Sequence, residues 1–587
     1  MNRTPRALSV LDRLWQALLA WPRASVALIA AAQTLFVLSD RALWFSDEVR
    51  YADAYLGLLR GKWLVLNLNG VAYPDKPPVY FWFVWLLDKF TALGDPAAFF
   101  LAAGASGLLM VWATMRLGRV LGLSAEVRLG AGLVLLSTLF FAGLLHYSRM
   151  DLLFAALITA AQAEFCLAFA PGEEAARTRR ATLALLICGV ATLTKGPLGL
   201  LFPVLATLIF LAWRGRAREF FSRALVPGLL ALLGLVAAWV VAAYFVEGYG
   251  FLYKIFYEQI FLRATKTFHH AEPAWFYLAA FPPCWLPWTL AVVSLPVGRV
   301  FTPGFWAEAW AGRRTASPES DARAWLWICA ASGLGLLSLL SGKVVVYILP
   351  QLAPLALLMA WGLMESARPW KRLWTVSGLL FLALAGVATQ AERFLQKPPA
   401  ELLGAAVLPP DPLPGTWAVA ACFALIGLAL LALRGQDARC VLPALALLVT
   451  LWVQPAGGVL APALDPIMSP RPQALVLKEY AARGYLPVAH DIYQGIYSYY
   501  AGQAIQETSG FDALTPLANS RNIVLAIKKK RWDAWTDRPA HLRIVLTQWL
   551  AGTTYIVAVG EAPGSASSRS PDRICCIAGG PGPTPAQ

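Results

Sequence analysis

Long apolar stretches separated by short, basic loops dominate the chain. A helix needs about 20 predominantly apolar residues to cross a bilayer. About fourteen stretches approach that length: 24–41, 79–93, 97–119, 127–146, 150–170, 181–195, 197–213, 224–246, 275–299, 324–341, 344–364, 372–389, 415–433 and 440–461. Arginine and lysine collect in cytoplasmic loops. Arg116, Arg119 and Arg128 mark one such loop, and Arg177, Arg179 and Arg180 the next. Further groups follow at Arg214–Arg223, Arg299–Arg323, Arg368–Arg372, and Arg434 with Arg439. The N-terminus, with Arg3, Arg6, Arg13 and Arg23, belongs on the same side and reads as an anchor without a cleavage site. Fourteen crossings cannot satisfy all these loops. The stretch 79–93 is short and carries Asp88 and Lys89, so it is predicted to be an interfacial or re-entrant helix. Thirteen spans remain, with residues 42–96 outside.

The hydrophilic stretch from 465 onward then also lies outside. Its strand-like runs Arg543–Leu546 and Tyr555–Val559 and its helix-like run Ala474–Gly484 predict a small α/β domain over 465–561. A disordered tail over 562–587 follows. The expected fold class is mainly α: a polytopic membrane domain over 1–464 joined to that small outer domain.

Composition supports this and narrows it. Of 587 residues, 58% are hydrophobic and only 14% charged, with a mean hydropathy of +0.58. Soluble proteins average about 45–50% apolar and about 25% charged. These values exclude disorder, a coiled coil and an ordinary cytosolic enzyme. The 24 Trp and 29 Phe suit membrane interfaces and ligand clefts. A net charge of +15 can signal nucleic acid. Here the loop arginines account for it, and no nucleic-acid partner is expected. The 8 cysteines show neither metal spacing nor a disulfide framework.

Under the thirteen-span topology, unusual polar residues meet on the outer face. The first outer loop holds Ser46-Asp47-Glu48-Val49-Arg50-Tyr51 and Tyr73-Pro74-Asp75-Lys76-Pro77-Pro78. Later outer turns hold His146–Asp151, Thr194-Lys195-Gly196-Pro197, the segment with Glu258, Gln259, Arg263, Lys266, His269 and His270, and Lys343 with Tyr347. Charges near hydrocarbon are costly and usually line a polar cavity. Bland readings stand beside this one. Asp47 could cap a helix or pair with Arg50, Arg149 and Asp151 could be a local ion pair, and Lys195 could be a turn residue. His269 and His270, being adjacent, suit a shared metal poorly. Lys343 opposes the positive-inside trend, which favours a functional cation. The tyrosine-rich stretch Ile492–Tyr500 reads first as packing within the small domain.

Acidic and cationic groups gathered at an outer membrane face fit sugar transfer from a lipid phosphate carrier. Lysine or arginine holds the phosphate, a carboxylate deprotonates or orients the attacking group, and fixed cations stabilise the departing phosphate. At these residues the sequence resembles the bacterial aminoarabinose transferases of lipid A. Those belong with the protein O-mannosyltransferases among the C-type membrane glycosyltransferases. The resemblance runs through Asp47-Glu48-x-Arg50-Tyr51-Ala52, Asn69-Gly70-x-x-Tyr73-x-x-Lys76-Pro77-Pro78, Arg149-Met150-Asp151, Leu193–Pro197 and Lys343-x-x-x-Tyr347-Ile348-Leu349-Pro350.

The resemblance implies an undecaprenyl-phosphate-linked donor, anomeric inversion and a bacterial inner-membrane enzyme with its site facing the periplasm. It implies Asp47 and Asp151 as catalytic residues. Lys76, Arg263 and Tyr347 would meet the donor phosphate; the residues' own positions add Lys343 to that group, with Glu48, Arg50 and Arg149 in support. The sequence departs from the family at Asp75, where the family has Glu, and near Gln259, where it has a metal-binding His; both departures argue against a metal. The acceptor stays open: lipid A, another glycan, a lipid or a protein. The alternatives are transfer of a different, mannose-like sugar and, as a separate class, a lipid or sugar transporter.

Overall fold

The computed structural model describes residues 10–35, 38, 41–262, 272–313, 317–366, 370–391, 393 and 405–562. It begins with α1 (Val10–Ala20) and α2 (Pro22–Leu35), bent by 106° at the break between them. The first loop carries α3 (Asp47–Leu59), a hairpin of β1 (Asn67–Leu68) and β2 (Val71–Ala72), and α4 (Val79–Thr91). Then come α5 (Ala97–Val120), α6 (Ala125–Leu136), α7 (Leu139–Leu144), α8 (Asp151–Ala168), α9 (Arg177–Lys195), α10 (Leu198–Trp213) and α11 (Val226–Glu247). Beyond lie α12 (Phe276–Cys284), α13 (Pro318–Leu339), α14 (Leu349–Glu365), α15 (Lys371–Thr389), α16 (Thr416–Leu433) and α17 (Ala438–Pro455).

The chain is a polytopic α-helical membrane protein. Among the described residues, 8 helices are long and apolar enough to cross a membrane, or 9 if α1 and α2 count as one span. The remaining apolar stretches form shorter or interrupted helices, except α9, which is 19 residues long but carries Arg177, Arg179, Arg180 and Lys195. The predicted span 127–146 breaks into α6 and α7 at Ser137–Thr138, whose hydroxyls turn back onto the carbonyls of Leu133 and Val134. The predicted span 275–299 is not one helix. α12 ends at Pro282-Pro283-Cys284, and only 3-10 turns follow, over Trp288–Val293 and Val297–Phe301. Proline removes the backbone donor that would continue the ladder, and Pro287 and Pro296 repeat the interruption. α4 has 13 residues, or about 20 Å at 1.5 Å per residue, too short to cross about 30 Å of hydrocarbon.

Two features fix the helix packing. α15 and α16 cross at Gly378 and Gly427, where a Cβ on either would lie 2.9 or 2.8 Å from the other's carbonyl oxygen. Small residues allow this close backbone approach. On the basic face, Glu164 of α8 is buried between Arg116 of α5 and Arg180 of α9. Arg439 likewise reaches Glu126 across α17 and α6 at 2.7 Å.

The C-terminal region is built on a six-stranded sheet of order β3-β7-β8-β6-β4-β5. Its strands are β3 (Ala405–Val407), β4 (Leu486–His490), β5 (Gln506–Thr508), β6 (Ile523–Lys528), β7 (Arg543–Leu550) and β8 (Thr553–Gly560). β5, β4 and β6 run parallel, β8 and β7 follow antiparallel, and β3 lies parallel to β7. A boundary at 465 therefore leaves out one strand, because β3 comes from the connection between α15 and α16. α18 (Arg471–Ala482) and α19 (Phe511–Ser520) cover the sheet. All but the first residue of the expected disordered tail lies outside the described residues.

Candidate active site

Glu48 organises the loops before it acts on anything else. It is fully buried, and its carboxylate takes a two-pronged pair from the Arg41 guanidinium at 2.8 and 2.9 Å. It also accepts the backbone N–H groups of Trp44 at 2.8 Å and Ser148 at 2.7 Å. Arg41 further donates to the carbonyl of His146 and stacks between Trp44 and Phe100. A single buried carboxylate thus pins the start of α3 to the turn before α8. That turn carries Arg149.

Arg149 connects the two aspartates. Its Nη1 lies 2.8 Å from Asp47, the first residue of α3, and its Nε lies 2.9 Å from Asp151, the first residue of α8. Both carboxylates sit at helix N-termini, where the peptide dipoles favour negative charge. Lys195 closes the cluster from the opposite polarity. It is the last residue of α9, where dipoles favour a cation, and its ammonium contacts Asp151. The chain then turns at Gly196, whose φ of 114° suits glycine. The Lys195 ammonium also lies 4.1 Å from the ring centre of Tyr347.

Asp47 is 21% exposed, whereas Asp151 is 3% exposed. Burial works against the charged form of Asp47, but the cations Arg149, Lys76 and Arg50 outweigh it and hold its carboxyl below the usual range. Lys76 is within electrostatic reach of both Asp47 and Lys195. Arg50 lies 3.9 Å from Asp47, packs over Tyr73, and donates to the carbonyl of Gln494 at 3.0 Å. Arg50, Lys76, Arg149 and Lys195 face Asp47, Asp75 and Asp151, so the cluster keeps positive charge in excess.

Asp47, Asp151, Lys76, Tyr347, Arg50, Arg149 and Glu48 thus meet at one end of the bundle. Lys343 is engaged differently. It is 4% exposed, and its ammonium donates to the backbone carbonyls of Glu272, at 2.8 Å, and Leu340. Leu340 is the residue that ends α13, so Lys343 caps a helix terminus, and its ammonium is turned onto these carbonyls rather than onto the aspartates. Arg263, Lys266, His269 and His270 lie outside the described residues. Among the described residues no three His, Cys, Asp or Glu side chains are grouped to hold a metal, and Gln259 supplies neither imidazole nor carboxylate.

Two residues were undervalued in the sequence. Lys195 is equally readable as a turn residue, and only the α8–α9 packing brings it to Asp151. Arg41 falls at the end of an apolar stretch, where nothing marks it as the partner of Glu48. The tyrosine-rich stretch packs against the first loop as well as within the small domain. Tyr500 accepts the N–H of Leu43 at 2.7 Å, Tyr499 donates to Asp95 at 2.6 Å, and Phe45 lies 6.0 Å from Tyr493 between ring centres.

No family model matches the chain. It is 31% identical over 367 residues to the undecaprenyl phosphate-alpha-4-amino-4-deoxy-L-arabinose arabinosyl transferase of Pseudomonas paraeruginosa, covering 62% of this chain and 63% of that relative. It is also 31% identical over 332 residues to the protein of the same name in Aeromonas salmonicida. These alignments cover less than two thirds of the relatives' length. Among solved structures, the chain resembles ArnT from Cupriavidus metallidurans bound to undecaprenyl phosphate. The TM-score is 0.70 at 19% identity, covering 95% of this chain and 99% of that one. The apo state of the same protein gives 0.68. The chain therefore has the fold of that membrane protein along nearly its whole length, and in sequence it is similar to the aminoarabinose transferases over 367 residues.

Proposed function

We propose that the protein is an inverting glycosyltransferase of the bacterial inner membrane. It moves 4-amino-4-deoxy-L-arabinose from undecaprenyl phosphate to lipid A at the periplasmic face. The observation that carries this reading is Arg149 held between Asp47 at 2.8 Å and Asp151 at 2.9 Å, with Lys195 on the far side of Asp151. The similarity in sequence and fold reported above supports the choice of donor.

The excess of fixed cations receives the carrier phosphate, with Lys76 as its first contact and Lys195 and Tyr347 beside it. The acceptor oxygen attacks the anomeric carbon from the face opposite the phosphate. The bond from that carbon to the phosphate oxygen breaks, its electron pair leaves with undecaprenyl phosphate, and the configuration inverts. Fixed cations stabilise the charge that grows on the departing phosphate without reorganising. Asp47, kept ionised by its neighbours, removes the proton of an acceptor hydroxyl. Where the acceptor is itself a phosphate, Asp47 orients it and stabilises positive charge on the sugar ring. Arg149 fixes the separation of the two carboxylates, and Asp151 holds Arg149 and Lys195 in place.

The test is transfer of radiolabelled sugar from purified undecaprenyl-phosphate-linked donors in detergent with lipid extract, wild type beside Asp47→Asn. Label should reach a product with wild type alone, and the product mass names the acceptor. Full activity in Asp47→Asn rejects the catalytic assignment. Lipid movement without donor cleavage in proteoliposomes would replace the transferase with a transporter.

A further inference from the structure

The C-terminal sheet presents its strand ends to the site. β4, β5 and β6 run parallel, so His490, Thr508 and Lys528 finish on one edge. In open α/β sheets ligands bind in the crevice outside the carboxyl ends of the strands. Here that edge faces the loop that carries Asp47. Phe45, two residues before Asp47, has its ring 6.0 Å from Tyr493 and 6.1 Å from Tyr555. Lys528 in turn lies 5.9 Å from the ring centre of Tyr493. A line of contacts thus runs from the catalytic loop through an exposed aromatic ring to a cation at the strand ends.

Basic groups outnumber acidic ones at that edge. β6 leads directly into Lys528-Lys529-Lys530-Arg531. Asp533 pairs with Lys529 at 2.8 Å, and Asp491, at the end of β4, pairs with Arg531 at 2.5 Å. Arg531 is 49% exposed and Tyr493 44% exposed. A half-buried lysine beside an open aromatic ring, with an exposed arginine at the neighbouring strand end, suits a sugar that carries an anionic group. The ring stacks on the saccharide, while lysine and arginine take the phosphate or carboxylate.

We propose that this strand-end crevice, centred on Lys528, Arg531 and Tyr493, binds an anionic group on the saccharide headgroup of the acceptor and aims that headgroup at Asp47. The direction of transfer rests on the transferase reading above; the binding itself does not. In that reading the donor phosphate lies at Lys76 and its neighbours, so the donor phosphate and the acceptor's anchoring anion meet separate cationic groups.

The test uses the full-length protein in nanodiscs of zwitterionic lipid. The probes are a glucosamine disaccharide lipid carrying two phosphates and the same lipid with both removed, with the Kd of each measured. Wild type should hold the phosphorylated probe about ten-fold more tightly. Lys528→Gln and Arg531→Gln should each bring that ratio towards one, and Lys528→Arg should preserve it. Binding of undecaprenyl phosphate, measured alongside, should stay at the wild-type value and shows that the variants are folded. Equal affinity for the two probes in wild type, or an unchanged ratio in both glutamine variants, overturns the proposal. Equally strong competition by phosphatidylglycerol overturns it too, since the patch would then be reading an anionic membrane surface. Phosphate-selective binding without any sugar transfer would leave this site standing and reject the transferase reading instead.

Discussion

Glu164 and Asp47 are both carboxylates clamped by arginine between helices, at opposite ends of the bundle, and they differ in what surrounds the clamp. Glu164 is 2% exposed and sits between Arg116 and Arg180, which join α8 to α5 and α9. Nothing further converges there, and the arrangement reads as a tie between helices. Asp47 is 21% exposed and meets Arg149, Arg50 and Lys76, while Asp151 meets Arg149 and Lys195. The chain contributes these groups from α3, the loop before α4, the turn before α8, and the end of α9. A paired carboxylate near a membrane therefore does not mark a site. A partly open carboxylate inside a surplus of cations drawn from several helix termini is what sets the candidate site apart.

The comparison can be broken by substitutions at either end. Asp47→Asn should lower turnover by about 100- to 10,000-fold while the protein still folds, with only a modest fall in melting temperature from the lost pair with Arg149, measured by transfer assay and thermal unfolding. Arg149→Lys keeps the charge but cannot reach both carboxylates at once. It should cut kcat by about 10- to 100-fold, and wild-type kinetics would remove the bridge from the mechanism. Glu164→Gln should do the reverse, costing about 1–3 kcal/mol of stability and leaving kcat within two-fold.

The smallest expected effect is in pH. Asp47 is held below its ordinary value, so its ionised form persists as pH falls through about 3.9, the pKa of an unperturbed aspartate. The stability it contributes is present above that value and is lost only as pH falls through its lower, folded value. The acid limb of kcat/KM should therefore lie below pH 4 rather than near it. A limb between pH 5 and 6 would assign the essential base to another group.

Much of this arrangement was legible in the sequence because charge in an apolar chain is rare and its position is informative. Asp47, Lys76, Arg149 and Asp151 stand at the ends of apolar stretches, and the alternation of basic loops brings those ends to one face. Lys343 obeys the same pattern, yet its ammonium sits on the carbonyls of Glu272 and Leu340, and sequence does not show which way a lysine turns. Lys195 errs in the other direction, because the turn signal of Gly196-Pro197 masks a contact made only by tertiary packing. The interruption of 275–299 was present in Pro282, Pro283, Pro287 and Pro296, and the apolar count overrode it. The pairing of β3 with β7 joins Ala405 to Leu546, and a three-residue strand so distant from its partner leaves no local pattern to find.

That same strand ties the biogenesis of the two parts together. β3 emerges between α15 and α16, so it is delivered by membrane insertion before the remainder of the sheet has been synthesised. A secreted fragment beginning at 465 would expose β7 as an unpaired edge, the kind of edge that recruits other chains. The six-stranded sheet is therefore completed only when β7 pairs with a strand that belongs to the connection between two helices of the bundle.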